Sequence, residues 1–148
     1  MKLPISELQR VHQMLNSIPF MAGLDQTDVE RLAYNLNLRH FAKDETIIRE
    51  GEPGRLFYLI SRGRVGVFKK RLFRQNKIAA LGAGDFFGEM ALLENVPRVA
   101  TVVGEEDGEM YSLTREGFEG VLMVKPVIAE RIRETAHERA AQNLLVRR

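Results

Sequence analysis

The chain has 148 residues and 16.9 kDa, 45% hydrophobic and 28% charged, the size and make-up of one globular domain rather than of a disordered segment. It has no cysteine, which excludes disulfides, thiolate metal ligands and cysteine nucleophiles and suits a reducing, cytoplasmic setting. Lys+Arg 22 against Asp+Glu 20 is too even a balance for binding nucleic acid through bulk charge, and no apolar run approaches the ~20 residues of a membrane span.

Taken in chain order, Ile5 to about Arg39 reads as helical. Leu8, Val11, Leu15 and Ile18 recur at three- and four-residue steps until Pro19 stops the run. After Gly23, Asp25 and Thr27 offer N-caps for a second helix with Val29, Leu32, Ala33 and Leu36 on one face. From Phe41 to Leu113 the pattern changes to short β-branched and aromatic pieces. These are Thr46–Ile48, Leu56–Ile60, Val65–Phe68, Lys77–Leu81, Ala100–Val103 and Glu109–Leu113. Seven of the twelve glycines lie between Gly51 and Gly88, so turns rather than helices join these strands and the zone predicts an antiparallel roll. The last zone predicts a short helix, Glu116 to Val124, a break at Pro126, and a long helix carrying Ile128, Ile132, Ala136, Ala140 and Leu144 at four-residue spacing. That face would pack on its own roll or on a second copy of the chain. The organisation expected is one domain: a helical segment 1–40, a roll 41–114 and C-terminal helices 115–148.

Two local patterns stand out. Lys69, Lys70, Arg71, Arg74 and Lys77 crowd one inter-strand connection, which reads as a solvated hairpin or, as the lesser option, a dock for an acidic partner. The other is the run from Phe87 to Val102. It reads as a strand end, a glycine, one helical turn, a proline stop and a return strand headed by Arg98. A helical turn behind Gly88 presents unpaired N–H groups, and an arginine brought to that corner adds a planar fork of donors, so the corner attracts an anion such as a phosphate. Glu89 would repel an anion and calls instead for a neutral donor such as a sugar hydroxyl. On the residues alone, a structural ion pair between Glu89 and Arg98 accounts for both as well.

Residues 87–102 closely resemble the phosphate-binding cassette of the cyclic-nucleotide-binding domains found in regulatory subunits of cAMP-dependent protein kinase, catabolite activators and cyclic-nucleotide-gated channels. An earlier stretch, with Ile47-Ile48, Gly51-Glu52, Gly54, Phe57-Tyr58-Leu59-Ile60 and Gly63, resembles the family's strand–turn–strand signature. The resemblance implies a mainly β fold, an eight-stranded antiparallel jelly roll with N-terminal helices and C-terminal B and C helices. It implies that Arg98 and the N–H groups of Ala91 and Val99 hold a cyclic phosphate. Glu89, helped by the Gly88 N–H, would take the ribose 2′-hydroxyl. Phe87, Met90, Ala100, Val67 and Ala79 would complete the pocket. Family members preferring cGMP place Thr where Val99 stands, so cAMP is the expected ligand and cGMP the second choice. Gly104 also departs from the family pattern, which has a small side chain there. The final helix resembles that of bacterial channel domains, which implies Arg139 as the lid over the base, with Asn143 and Leu144 as alternative lids.

Other classes fare worse. His12, His40 and His137 are far apart and lie in or beside helical segments, so a metal-dependent β-roll enzyme is not expected, and no catalytic motif or metal site is predicted. About 20 residues after Pro126 make one helix, so specific DNA binding by this chain is not expected. The expected partners are the nucleotide and an effector domain or protein outside this chain. The alternative is a ligand-free or cyclic-dinucleotide-binding variant that serves as a protein-interaction module.

Overall fold

A computed structural model describes residues 4–146 of the chain, and the side chains of residues 4–142. Asp25 caps helix α2 (Gln26–Asn35), its carboxylate accepting the Asp28 N–H at 2.9 Å. Helix α1 (Leu8–Asn16) precedes it, and its Val11 and Leu15 are wholly buried, as their spacing predicts.

Eight strands follow: β1 (Asn37–Phe41), β2 (Thr46–Ile48), β3 (Leu56–Arg62), β4 (Val65–Arg71), β5 (Arg74–Leu81), β6 (Phe86–Phe87), β7 (Thr101–Gly104) and β8 (Gly108–Thr114). They form two antiparallel four-stranded sheets, ordered β1-β8-β3-β6 and β2-β7-β4-β5, which face one another as a jelly roll. Thr114 then caps helix α3 (Arg115–Val124) by accepting the Gly117 N–H at 3.0 Å, and after the Pro126 break helix α4 runs from Val127 to Val146.

One strand lay outside the sequence expectation, and a second was anticipated only as a strand end at Phe87. β1 begins at Asn37, inside the segment read as helical. α2 passes into it through Leu36 with no Gly or Pro between them, so the switch has no breaker to announce it. β6 has two residues, too few for any periodicity. The basic stretch, read as a connection, is itself strand: β4 and β5 pair from Val65↔Leu81 out to Arg71↔Arg74 around a two-residue turn.

The core has two compartments separated by the first sheet. Phe57 and Leu59 of β3 point to the helices, where they meet Phe20, Leu32, Phe118, Ile128 and Ile132. Tyr58 and Ile60 point into the roll, against Phe87, Val102 and Met110. A strand covered on both faces has no polar side, which is why residues 57–60 form an unbroken apolar block. Phe86 and Phe87 divide in the same way. Phe86 packs edge-on against Phe20 at 5.4 Å, and Phe87 stacks on Tyr58 at 4.9 Å. Ile128 and Ile132 are fully buried against the chain's own core, so the N-terminal half of α4 packs on its own roll.

Phe57 lies at the centre of the helix-side compartment, 6.0 Å from Phe20 and 5.8 Å from Phe86. Phe57→Ala is expected to lower the unfolding free energy by ~3–5 kcal/mol, read from urea denaturation. A loss below 1 kcal/mol would mean that the compartment collapses around the missing ring.

Candidate ligand-binding site

The site is built around Arg98, which enters the roll between two glycines. A Cβ on Gly54 would lie 3.0 Å from Arg98 Nε and 3.1 Å from its Cζ, and one on Gly88 would lie 2.6 Å from its Nη1. Gly88 also sits at φ 78°, a left-handed conformation that starts the single 3₁₀ turn Glu89–Leu92 and that few side chains tolerate. Through this gap Arg98 Nη2 donates to the Leu56 carbonyl at 2.7 Å. The backbone around it is clamped as well. Arg98 N–H donates to Glu52 O at 2.8 Å, Gly51 N–H to Arg98 O at 2.8 Å and Gly54 N–H to Val96 O at 3.0 Å. The two stretches singled out in the sequence are therefore one structure: the Gly51–Gly54 turn is the bracket that holds the arginine of residues 87–102.

Glu89 and Arg98 do not form the structural ion pair that the sequence left open. Arg98 bonds to Leu56, while Glu89, only 5% exposed, pairs with Arg139 of α4 at 3.1 Å. Burial pulls the Arg98 guanidinium below its ordinary pKa, and the phenol of Tyr58 and the carboxylate of Glu89 oppose that shift. An arginine remains a cation at neutral pH regardless. Among the described residues the corner's half-buried positive charge has no ion-pair partner, an arrangement suited to an incoming anion.

Arg139 neither stands free in solvent nor pairs along its own helix with Glu134 or Glu138. Its guanidinium bonds to Glu89 and, at 2.7 Å, to the Phe86 carbonyl, and lies 4.1 Å above the Phe86 ring. One arginine thus ties α4 to the strand and turn that frame the pocket. Asn143 and Leu144 carry side chains outside the described residues.

Between Arg98 and α4 opens a cleft of about 440 Å³, within the usual range for small-molecule sites. The ten residues expected around the ligand all line it: Val67 of β4, Ala79 of β5, Phe87, Gly88, Glu89, Met90, Ala91, Arg98, Val99 and Ala100; Arg139, expected as the lid, lines it as well. The Ala91 N–H closes the turn by donating to Gly88 O at 3.1 Å, whereas Val99, 69% exposed, stands at the rim. Sequence reasoning did not place Ile48, Lys69, Leu81, Val96, Pro97 or Val102 on the wall, nor Ala136, Ala140 and Gln142 of α4. Ala136 and Ala140 belong to the four-spaced face of the last helix. Two small side chains on that face, just beyond two buried isoleucines, were the available signal for a cavity rather than a packed seam.

The profile of the cyclic nucleotide-binding domain family matches residues 38–125, more than half of the chain, and the chain belongs to that family. It is 36% identical over 108 residues to the cAMP-dependent protein kinase regulatory subunit of Aspergillus fumigatus, covering 73% of this chain and 26% of that protein. Among solved structures, the catabolite activator protein of Thermus thermophilus superposes with a TM-score of 0.73 at 29% identity, over 86% of this chain and 60% of that one. The regulatory subunit of a cAMP-independent protein kinase A from Trypanosoma cruzi, bound to guanosine, superposes with a TM-score of 0.70 at 32% identity, over 84% and 44%. This chain spans about a quarter to a third of the regulatory subunits it matches.

The three atoms nearest to the Cβ of an alanine at position 54 would all belong to Arg98. Gly54→Ala is expected to cost about 1 kcal/mol in thermal or urea unfolding, the lower end for overpacking. In the Arg98→Ala background the same change should be neutral to within ~0.5 kcal/mol. Equal costs in both backgrounds would show that Gly54 is not kept for the arginine.

Proposed function

We propose that this domain is a cyclic-nucleotide sensor, with cAMP its ligand, cGMP its second choice and no catalysis of its own. The observation that carries the reading is the half-buried, cradled Arg98 beside a buried Glu89 that is not its partner. A cyclic nucleotide offers one phosphate and one ribose hydroxyl side by side, the two groups this pair of charges would take. In the proposed complex the phosphate lies against the Arg98 guanidinium and the Val99 N–H, and Glu89 accepts from the 2′-hydroxyl. The base lies between Val67, Ala79 and Met90 on one side and α4 on the other. The preference for cAMP rests on Val99, which has no hydroxyl for guanine, and on the name of the Aspergillus relative.

Output would pass through α4. A ribose hydroxyl brought to Glu89 meets a carboxylate already engaged by Arg139, so ligand and helix share one anion. A ligand moves an equilibrium only by its differential affinity for the two states, and this shared group supplies such a difference. The effector that reads the helix would be a domain or protein beyond this chain. The guanosine-bound Trypanosoma relative supports a second reading, a nucleoside ligand that leaves Arg98 unused.

Calorimetry with cAMP, cGMP, guanosine and a cyclic dinucleotide separates these readings. cAMP should bind best, and Arg98→Ala should weaken it ~30- to several-thousand-fold, the range for truncating one partner of a buried charged pair. Glu89→Ala should weaken cAMP but leave 2′-deoxy-cAMP nearly unchanged. Undiminished binding by the arginine variant, or guanosine binding as tightly as cAMP, overturns the phosphate assignment.

For the switch, a spin-label pair on α4 and β4 should report a change in distance on saturation with cAMP. Arg139→Ala should shift the ligand-free distance toward the bound value, because its tie to Glu89 is gone. No change in the wild-type chain at saturation removes the switch and leaves binding standing.

A further inference from the structure

The β4–β5 hairpin ends in three local violations that coincide. The turn is Leu72-Phe73, and the two side chains are 89% and 99% exposed. Leu72 sits at φ 55°, a left-handed conformation in which glycine or asparagine would be unstrained. The closing pair sets Arg71 directly opposite Arg74, and like charges in that position destabilise a sheet. Together the three place two apolar side chains at the most prominent point of the hairpin inside a cationic collar of Lys70, Arg71 and Arg74.

The charge around the tip is one-sided over a long stretch. From Pro53 to Gly84 the chain carries eight Lys and Arg and no Asp or Glu, more positive charge than the net +2 of the whole protein. Acidic groups from elsewhere also reach the hairpin. Glu50 accepts the Lys70 amide N–H at 2.9 Å, and Glu105 pairs with Lys77 at 2.5 Å, lower on the strands.

We propose that this tip docks on an anionic lipid surface. Leu72 and Phe73 enter the headgroup region, and Lys70, Arg71 and Arg74 hold the lipid phosphates around them. A stable protein–protein interface needs about 800 Å² on each side, whereas a buried aromatic side chain contributes about 150–250 Å² and a leucine no more. Two side chains on a convex point therefore fall well short of a protein partner's requirement. A lipid interface accepts a point of any size, provided apolar tips and basic collars act together. The proposal is independent of what fills the nucleotide cleft.

The test is co-sedimentation of the full chain with phosphatidylcholine vesicles and with vesicles of phosphatidylcholine containing 30% phosphatidylglycerol. The protein should partition onto the anionic vesicles and not the neutral ones, and rising salt should release it. Arg71→Gln with Arg74→Gln should weaken partition about 30-fold, at the usual effect of one basic residue near such a surface. Leu72→Gly and Phe73→Ser should each weaken it about tenfold or more. Leu72→Gly is the deciding variant, since glycine suits the turn: its melting temperature should hold or rise while vesicle binding falls. The chain has no tryptophan, so Phe73→Trp provides a single emission that should shift to the blue on anionic vesicles alone. The proposal is overturned by a wild-type chain that ignores anionic vesicles or takes both kinds equally. Unchanged partition by Leu72→Gly and Phe73→Ser overturns it as well. So does retention on immobilised polyglutamate without vesicle binding, which would make the collar a site for an acidic protein.

Discussion

The bond from the Arg98 guanidinium to the Leu56 carbonyl organises the pocket. To make it, a long cation must enter a β roll between two backbones; a Cβ at position 88 would block its path and one at position 54 would crowd it. The left-handed turn at Gly88, the bridge between Pro53 and Pro97 and the two bonds linking Arg98 to Glu52 and Gly51 all follow from holding that side chain extended. Leu56 opens β3, a strand buried on both faces, so the arginine is tied to the core of the molecule. Preorganisation of this kind removes the ordering cost that a surface arginine would meet on binding an anion.

The same two-sided sheet joins the pocket to the helices. Adjacent aromatics in β6 belong to different compartments: Phe87 stacks inside the roll and Phe86 lies among the helices beneath Arg139. The turn Glu89–Leu92 therefore lies within three residues of both compartments. α4 rests on this junction through Ile128 and Ile132 near its start and through Arg139 further along. In the proposed switch its buried half would be the pivot, and its polar contact the part that a ligand renegotiates.

Much of this was legible because the informative features are local. Strands with turn glycines, the four-residue face of α4 and the glycine–helical turn–arginine order of residues 87–102 are patterns of neighbouring residues. What escaped was non-local. β1 is a strand because β8 offers it an edge, and Asn37, Arg39 and His40 have no strong preference of their own to say so. The pairing of Arg139 with Glu89 joins positions fifty residues apart, and along the helix Glu138 and Glu134 were nearer choices. Lys69, seen only as one of a basic run, proved to be a pocket wall, because β4 continues past Phe68 and alternates its side chains.

The single carboxylate at position 89 has a consequence for pharmacology. Occupancy and message are separable when one group grips the ligand and another, shared with the helix, reports it. A compound that satisfies Arg98 with a cyclic phosphate but offers no hydroxyl donor would fill the cleft and leave the Arg139 tether intact. Under the proposed switch it would act as an antagonist by silence rather than by exclusion, and its potency would be set by the phosphate corner alone.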